Sequence, residues 1–168
     1  MNNNQNPELQ LAFEYVQNTN VNVFLTGKAG TGKTTFLHNL RTVSPKRMIV
    51  VAPTGVSAIN AGGVTIHSFF QISFGPQIPA DLIQTDNSTL TGEETSLSEA
   101  KKFSRDKIKI IRSIDLLVID EISMVRADLL DAIDAVLRRF RNSHIPFGGV
   151  QLLMIGDIQQ LAPVVKED

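Results

Sequence analysis

Short apolar runs alternate along the chain with segments whose hydrophobic positions recur at helical spacing. A strand buried on both faces is apolar at nearly every position, so such runs predict the strands of a parallel sheet. The four runs are "VNVFLT" (21–26), "RMIVVA" (47–52), "DLLVID" (115–120) and "QLLMIG" (151–156). Helices are predicted at 7–18, 33–41, 54–61, 96–113 and 123–141. Strands that alternate with helices predict right-handed crossovers and an α/β fold, with helices on both faces of the sheet.

The helix predicted at 123–141 has the clearest hydrophobic stripe. Ser123 is a suitable N-terminal cap, and three arginines (Arg138, Arg139 and Arg141) suit the negative end of the helix dipole. The stripe consists of Val125, Leu129, Ile133, Val136, Leu137 and Phe140. One helix face is therefore expected to pack on the sheet.

Composition excludes several classes of protein. The 168 residues suffice for one domain with a sizeable core. The absence of cysteine excludes disulfides and cysteine-based zinc sites. The polar N-terminus does not resemble a secretory signal, and no apolar run approaches the ~20 residues that span a bilayer. These features predict an intracellular protein of the cytoplasm or nucleoid, with no membrane association. Its net charge of −1 confines any nucleic-acid site to a local patch.

Residues 71–97 interrupt the alternation with prolines, glycines and many polar side chains. This composition predicts a surface insertion in an otherwise single domain spanning residues 1–168. The segment that follows, "KKFSRDKIKIIR" (101–112), is basic and roughly helical. It is either a solvated helix face or a patch that contacts phosphates.

A phosphate-binding loop follows the first predicted strand. The sequence "GKAGTGKT" (27–34) fits the pattern G-x-x-x-x-G-K-[ST], and it opens a predicted helix as that motif requires. Glycines allow backbone N–H groups to surround phosphate oxygens, and the helix N-terminus adds favourable dipole charge. Lys33 is expected to reach the β- and γ-phosphates of ATP, and the Thr34 hydroxyl is expected to bind Mg²⁺.

Two carboxylates follow the third predicted strand, in "LLVIDE" (116–121). Asp120 is positioned to hold Mg²⁺ through water, and Glu121 to polarise a water for attack on the γ-phosphate. The adjacent glutamate favours hydrolysis over phosphoryl transfer to a metabolite. The alternative is an acidic pair that caps the following helix.

The motif "GDIQQLAP" (156–163) follows the fourth predicted strand. In a parallel sheet, Asp157 and Gln160 emerge at the same edge as Asp120. The Gln160 amide can sense the γ-phosphate or orient the attacking water. An ordinary loop is the alternative interpretation.

The stretch "APTGVSAINAGGVTIHSFF" (52–70) is rich in hydroxyl groups and glycine. It contains no lid arginines of the kind that a metabolite kinase places over phosphates, and the chain has no N-K-x-D guanine motif. Hydroxyl and backbone N–H groups suit sequence-independent contacts with a string of phosphates. Phe69 and Phe70 either offer a stacking face for a base or pack in the core. His67 is either part of that surface or a hydrogen-bonded structural histidine.

These motifs together resemble the N-terminal RecA-like domain of the PIF-one (petite integration frequency) DNA helicases of superfamily one, relatives of RecD. The matching segments are "TGKAGTGKTT", "APTGVSAINAGGVTIHSFF", "IDEISM" and "PFGGVQLLMIGDIQQLAPV". The resemblance runs from about Gln10 to Val164, apart from 71–97. Ala162 replaces a proline that is common in the family, a change that removes no ligand.

The resemblance implies a role for each matching residue. Gln10 matches the glutamine that reads adenine, and Gln160 matches the glutamine that couples the γ-phosphate to DNA. Lys33 and Glu121 match catalytic residues, as Gln160 does, and Asp120 joins Thr34 as a Mg²⁺ ligand. The implied ATP contacts in the loop are Gly27, Lys28, Ala29, Gly30, Thr31, Gly32, Lys33, Thr34 and Thr35. The implied DNA contacts are Pro53, Thr54, Gly55, Thr65 and His67.

The resemblance also implies an activity and partners. Family members hydrolyse ATP, move 5′ to 3′ along single-stranded DNA and unwind duplexes and forks, which connects them with DNA replication, repair and telomere maintenance. A second RecA-like domain with arginine fingers is expected C-terminal to this chain, which would then be the N-terminal half of a monomeric helicase. A nucleotide-dependent binding module without motor activity is the alternative, and a metabolite kinase is a weaker one.

Overall fold

Five parallel strands form the centre of the protein, as the computed structural model of residues 6–28, 30–77, 103–157 and 159 shows. The elements follow in the order α1 Pro7–Asn18, β1 Val23–Thr26, α2 Lys33–Val43, β2 Met48–Ala52, α3 Gly55–Asn60, β3 Val64–Thr65, α4 Ile66–Phe70, α5 Arg105–Ser113, β4 Leu116–Ile119, α6 Ala127–Phe140 and β5 Gln151–Gly156. Two 3₁₀ turns, Ile122–Met124 and Pro146–Gly149, flank α6. The predicted α/β architecture is confirmed.

The four predicted strands are all present, and their order across the sheet is β1-β5-β4-β2-β3. Each pair is parallel, and central β4 aligns Ile119 with Val51 of β2 and with Met154 of β5. The fifth strand, Val64–Thr65, was not predicted, because two residues are too few to show an alternating pattern.

The helices agree with the sequence pattern where they are long. Helix α1 has the predicted bounds, and its N-terminus is capped by the Asn6 side chain, which accepts a hydrogen bond from the Glu8 backbone N–H at 3.0 Å. Helices α2 and α3 lie within two residues of prediction. Helix α4 has five residues and was not predicted, since it spans little more than one turn.

The prediction that Ser123 caps the long helix is wrong. Glu121 adopts a left-handed conformation (φ 53°), and Ser123 then lies in the 3₁₀ turn, so α6 begins at Ala127 with Arg126 as its N-cap residue. The Ser123 Oγ atom is buried without a hydrogen-bond partner in the part of the chain that the structure describes. The predicted stripe is confirmed, because Leu129, Ile133 and Leu137 are buried and Val125, Val136 and Phe140 pack against the core.

The core lies on both faces of the sheet, which explains the continuous apolar character of the strands. Strand β4 directs Leu117 and Ile119 into a cluster that contains α4, α5 and α6 residues. Its alternate residues, Leu116 and Val118, join a second cluster with α1 and α2 residues. All four β4 side chains are buried. The nucleotide-site helix α2 and the helix α4 are therefore packed against opposite faces of the same strands.

Part of two predictions lies outside the described residues. The predicted helix 96–113 corresponds to α5, Arg105–Ser113, and residues 78–102 are not described. The predicted insertion 71–97 overlaps the described chain only at residues 71–77. None of the described helices is long and apolar enough to cross a membrane.

An ion pair joins the amino ends of β2 and β4, at the edge of the sheet away from the phosphate-binding loop. The Arg47 guanidinium donates to both carboxylate oxygens of Asp115 at 2.8 Å, and the Arg47 backbone N–H donates at 3.0 Å. The hydrogen bonds from the Arg47 side chain are the main reason that the pKa of Asp115 falls from 3.8 to about 2.

We expect Asp115→Asn to lower the free energy of unfolding at neutral pH by a modest amount, because the pair is partly exposed to solvent. A carboxylate with a depressed pKa stabilises the fold above its unfolded pKa and loses that contribution as pH falls towards its folded pKa. The difference between wild type and variant should therefore shrink between about pH 4 and pH 2. Urea denaturation across this range measures it, and a constant difference would contradict the assignment.

Candidate active site

The loop between β1 and α2 is shaped by glycines with left-handed backbone conformations. Gly30 has φ 79° and Gly32 has φ 89°, values that other residues adopt only with strain. The loop is anchored to the next strand, because the Gly27 N–H donates to the Gly156 carbonyl oxygen at 3.3 Å. Ala29 lies outside the described residues. The predicted strand–loop–helix context of the motif is thus present.

Lys33 begins α2, and its side chain turns back across this loop. Its ammonium group donates to the carbonyl oxygens of Gly27 and Lys28, the second at 2.8 Å. The Thr31 hydroxyl donates to the same Lys28 oxygen at 2.9 Å. A Cβ atom at Gly27 would lie 2.9 Å from the Thr31 Oγ1 atom, so a side chain at Gly27 would displace Thr31. Glycine at this position therefore leaves the Thr31 hydroxyl in place beside the Lys28 carbonyl oxygen.

The carboxylates lie where β4 ends. The Asp120 N–H donates to the Val51 carbonyl oxygen at 2.9 Å, which extends the β2–β4 ladder by one bond. Burial raises the pKa of the Asp120 carboxyl above 3.8, while a hydrogen bond from the Glu121 backbone N–H and the charge of Lys33 oppose the rise. Lys33 is thus within electrostatic reach of Asp120. The left-handed conformation of Glu121 redirects the chain directly after the strand.

A cavity of about 380 Å³ brings the loop and the glutamate together. Its lining residues are Gly30, Gly32, Lys33, Thr34, Thr35, Glu121 and Asp157. Asp120 is not among these lining residues. No arginine lines the cavity within the described ranges, so Lys33 supplies the positive charge there.

Asp157 emerges at the predicted edge and is buried in the cavity wall. Its Oδ1 atom accepts a hydrogen bond from the Gln159 N–H at 3.0 Å. The sequence placed Asp157 at this edge without giving it a role. Gln160, the predicted third catalytic residue, lies outside the described residues.

A second groove, of about 660 Å³, lies between α1 and α2 beside the loop. Gln10, the predicted adenine contact, lines it, and its amide donates to the Glu14 carboxylate at 3.1 Å. Phe13 and Asn39 also line the groove, and the sequence gave no separate signal for either. An apolar ring and polar amides beside a phosphate loop suit a nucleobase.

The predicted DNA-contact threonines both cap short helices. Thr54 Oγ1 accepts from the Ser57 N–H at 3.1 Å, and the two hydroxyls lie 2.6 Å apart in a reciprocal capping box at the start of α3. Thr65 Oγ1 accepts from the Ser68 N–H at 3.3 Å at the start of α4. A hydroxyl that accepts one bond still has a hydrogen to donate. The Thr65 hydroxyl can therefore cap a helix and also contact a phosphate.

The phenylalanines of the predicted DNA stretch belong to the core. Phe69 and Phe70 are 5% and 1% exposed and meet edge to face, with ring centroids 4.9 Å apart. Core packing is thus confirmed for both, and neither offers a face to a base. The Lys107 ammonium of α5 lies 3.5 Å from the Phe69 ring centroid, so part of the basic segment contacts protein.

One ring nitrogen of His67 makes no hydrogen bond within the described residues. Its Nδ1 atom is buried without a hydrogen-bond partner among the residues that the structure describes. The ring instead stacks on Phe74, with centroids 4.4 Å apart and an angle of 18° between the planes. Burial lowers the pKa of His67 and so favours the neutral imidazole.

A cleft of about 200 Å³ lies between the start of α3 and the 3₁₀ turn after β4. Its lining residues are Thr54, Val56, Ser57, Asn60, Glu121, Ser123 and Met124. Glu121 therefore borders both the cavity beside the phosphate loop and the cleft beside the capping box. The predicted ATP and DNA residues are neighbours across this glutamate.

The residues present fit a nucleoside triphosphate with Mg²⁺. Loop and helix residues line one cavity with Lys33, and the Lys33 ammonium donates to two backbone carbonyl oxygens of the loop. The described residues contain no group of three acidic or histidine side chains placed to hold a metal. A Mg²⁺ ion at Thr34 and Asp120 would complete its coordination with phosphate oxygens and water, as this ion commonly does.

The loop after β1, the carboxylates after β4 and the strand β5 between them define a RecA-like P-loop NTPase. The whole chain, residues 1–168, matches the sequence profile of the PIF1-like helicases, and it belongs to that family of ATP-dependent DNA helicases.

Comparisons with individual relatives agree with this assignment. The chain is 39% identical over 151 residues to the ATP-dependent DNA helicase PIF1 of Saccharomyces cerevisiae, covering 87% of this chain and 16% of that protein. It is 49% identical to Bacteroides sp Pif1 in complex with ADP-AlF4, with a TM-score of 0.81 over 96% of this chain and 34% of the other. The chain is also 49% identical to Bacteroides Pif1 bound to ssDNA, with a TM-score of 0.79 over 99% of this chain and 34% of the other. The chain thus spans about a sixth to a third of these relatives.

The close packing of Gly63, next to β3, against strand β2 generates a testable prediction about stability. A Cβ atom at Gly63 would lie 2.3 Å from the Val50 carbonyl oxygen, a backbone atom that cannot move aside. We expect Gly63→Ala to lower the free energy of unfolding by about 1–3 kcal/mol, a typical cost of overpacking. Urea denaturation measures the change.

Gly55→Ala is the matched control on the same segment. Nothing lies within 4 Å of a Cβ at Gly55, and alanine is favoured over glycine in a helix by up to about 1 kcal/mol. The control should therefore be neutral or slightly stabilising. Equal losses in the two variants would show that β3 does not pack as described.

Proposed function

We propose that this chain is the N-terminal RecA-like unit of a helicase that moves 5′ to 3′ on single-stranded DNA and unwinds duplexes and forks. The observation that carries the proposal is the position of Glu121 between the phosphate-loop cavity and the capping-box cleft. A residue that borders both sites can make ATP hydrolysis depend on the bound strand. The 5′-to-3′ direction follows the resemblance of the motifs to the family.

The proposed ATP site places each nucleotide group against a different element. The groove with Gln10 receives the adenine, and the loop from Gly27 to Thr35 surrounds the phosphates. Thr34 and Asp120 would hold a Mg²⁺ ion, which would supply positive charge against the phosphates. Lys33 contacts the β- and γ-phosphates, exchanging its carbonyl partners for phosphate oxygens.

Glu121 acts as the general base in this proposal. Its carboxylate accepts a proton from the attacking water and directs the oxygen towards the γ-phosphorus. Gln160 is assigned to sensing the γ-phosphate, on the basis of the motif alone. The bond between phosphorus and the β–γ bridging oxygen breaks, and ADP and phosphate leave.

The proposed DNA surface follows β2 and β3 at the same edge of the sheet. Pro53 has no N–H, and the Thr54 N–H donates to the Ser57 Oγ atom at 3.3 Å within the capping box. The proposed donors to phosphates are therefore the Gly55 N–H and the hydroxyls of Thr54 and Thr65. His67 contributes a neutral ring beside them. None of these groups reads a base edge, so binding should be independent of sequence.

Catalysis in this proposal requires a second RecA-like unit. Within the described ranges, Lys33 is the cation that lines the phosphate cavity. Arginines supplied across the cleft by a second unit would stabilise charge on the γ-phosphate, and such residues contribute about 10³–10⁵-fold to turnover in related systems. Closure of the two units around ATP and reopening after hydrolysis would move one unit along the strand.

We therefore expect the purified 168-residue chain to bind ATP but to hydrolyse it at a rate about 10³-fold or more below that of a two-unit helicase. Fluorescent-nucleotide binding and phosphate release, each with and without single-stranded DNA, measure the two properties. Brisk turnover that DNA stimulates would disprove the need for a second unit. ATP-controlled DNA binding that persists in a two-unit protein lacking turnover and unwinding would favour the binding module without motor activity.

We expect Glu121→Gln, in a protein that carries the second unit, to retain ATP binding and to lower turnover by at least about 10²-fold, because the amide cannot accept the proton. Glu8→Gln is a matched control at an exposed position in the first turn of α1, and it should leave turnover largely unchanged. Retained turnover in Glu121→Gln would remove Glu121 from the role of base.

A further inference from the structure

Phe74 is the most exposed aromatic residue in the part of the chain that the structure describes, ahead of Phe24 at 46% and Tyr15 at 45%. Its side chain is 87% exposed, whereas Phe69 and Phe70 of the same segment are buried. An exposed phenyl ring contributes little to folding, since the hydrophobic stabilisation scales with the apolar area removed from water. The position of this ring therefore calls for an explanation outside the core.

The turn that carries Phe74 is well ordered by its own contacts. Ile72, two residues before Phe74 in the sequence, is buried in the core. After Phe74 in the sequence, the Gln77 side-chain amide donates to the carbonyl oxygens of Ser73 at 2.9 Å and Gly75 at 3.1 Å. The Gln77 N–H donates to Asp128 of α6 at 2.8 Å. These bonds fix the backbone on both sides of Phe74.

The phenyl ring is oriented by His67. The two rings are nearly parallel, and their centroids are 4.4 Å apart, which is the geometry of a stacked pair. His67 covers one face of Phe74, and the 87% exposure of the residue leaves the other face open to solvent. Burial lowers the pKa of His67, which favours the uncharged imidazole in this stack.

We infer that Phe74 is a stacking platform for an unpaired nucleobase of the bound strand, a proposal that rests on the DNA surface described under the proposed function. A base would continue the His67–Phe74 stack on the open face of Phe74. Every base has a π-face, so this contact adds affinity without sequence preference. Ser73 and Gly75 flank Phe74 in the sequence and add no large apolar side chain beside the ring, whereas a protein-docking surface presents a contiguous apolar patch.

The test compares Phe74→Ala with wild type on two oligonucleotides of equal length, oligo-dT and its fully abasic analogue. The stacking of one base corresponds to about a 5- to 150-fold change in affinity, so Phe74→Ala should weaken oligo-dT binding by that factor. The abasic strand retains every phosphate but offers no base. Its dissociation constant should be the same for both proteins, as measured by fluorescence anisotropy.

Phe74→Trp is the matched rescue variant, because it restores a ring of suitable shape and should bind oligo-dT at least as tightly as wild type. Thermal unfolding of Phe74→Ala verifies the fold. Unchanged oligo-dT binding by Phe74→Ala would overturn this inference alone. Equal weakening on both oligonucleotides would also overturn it, since the loss would then come from displaced backbone contacts. Failure of wild type to bind either strand would overturn the proposed DNA surface together with the inference.

Discussion

The parallel register of the central strands is the constraint on which the site depends. Because β4 pairs in parallel with β2 and β5, and β5 with β1, the carboxyl ends of these strands open at one edge. Along this edge the groups follow the strand order: first the phosphate loop after β1, then Asp157 after β5, Asp120 after β4 and the start of α3 after β2. The bond from the Asp120 N–H to the Val51 carbonyl oxygen continues the ladder to the last residue before the turn. A one-residue slip would exchange the two faces of β4 and separate these groups.

Glu121 occupies the point where this order ends. Its φ of 53° is unusual for a residue with a side chain and has an energetic cost that the surrounding contacts must offset. One stabilising contact is the hydrogen bond from the Met124 N–H to the Glu121 carbonyl oxygen at 3.0 Å. In addition, Gly156 leaves space for the 3₁₀ turn that a Cβ atom would fill. This conformation sets Glu121 against both cavities and, by starting the 3₁₀ turn, delays α6.

The sequence predicted those features that are fixed by local pattern. The strands, helix α1 and the phosphate loop were predictable because apolar periodicity and a motif of fixed spacing each fill a whole element. Helix α4 and strand β3 were too short for a period to register. The cap at Ser123 failed because the true start of α6 depends on the backbone angle of Glu121. Core packing of Phe69 was one of two alternatives from the sequence, and the exposure of Phe74 was not predicted, because burial depends on which ring the α5 and α6 side chains cover.

The proposed DNA surface is built from groups that folding has already ordered. Thr54 and Thr65 accept backbone hydrogen bonds at the starts of α3 and α4, which restricts their side-chain rotation before any strand arrives. Gln77 does the same for the turn around Phe74 through three hydrogen bonds. A strand that binds such a surface loses its own freedom but orders few protein groups, which lowers the entropic cost of binding. Sequence-independent binding has few specific contacts to offset that cost, so preordered donors and a fixed ring suit it well.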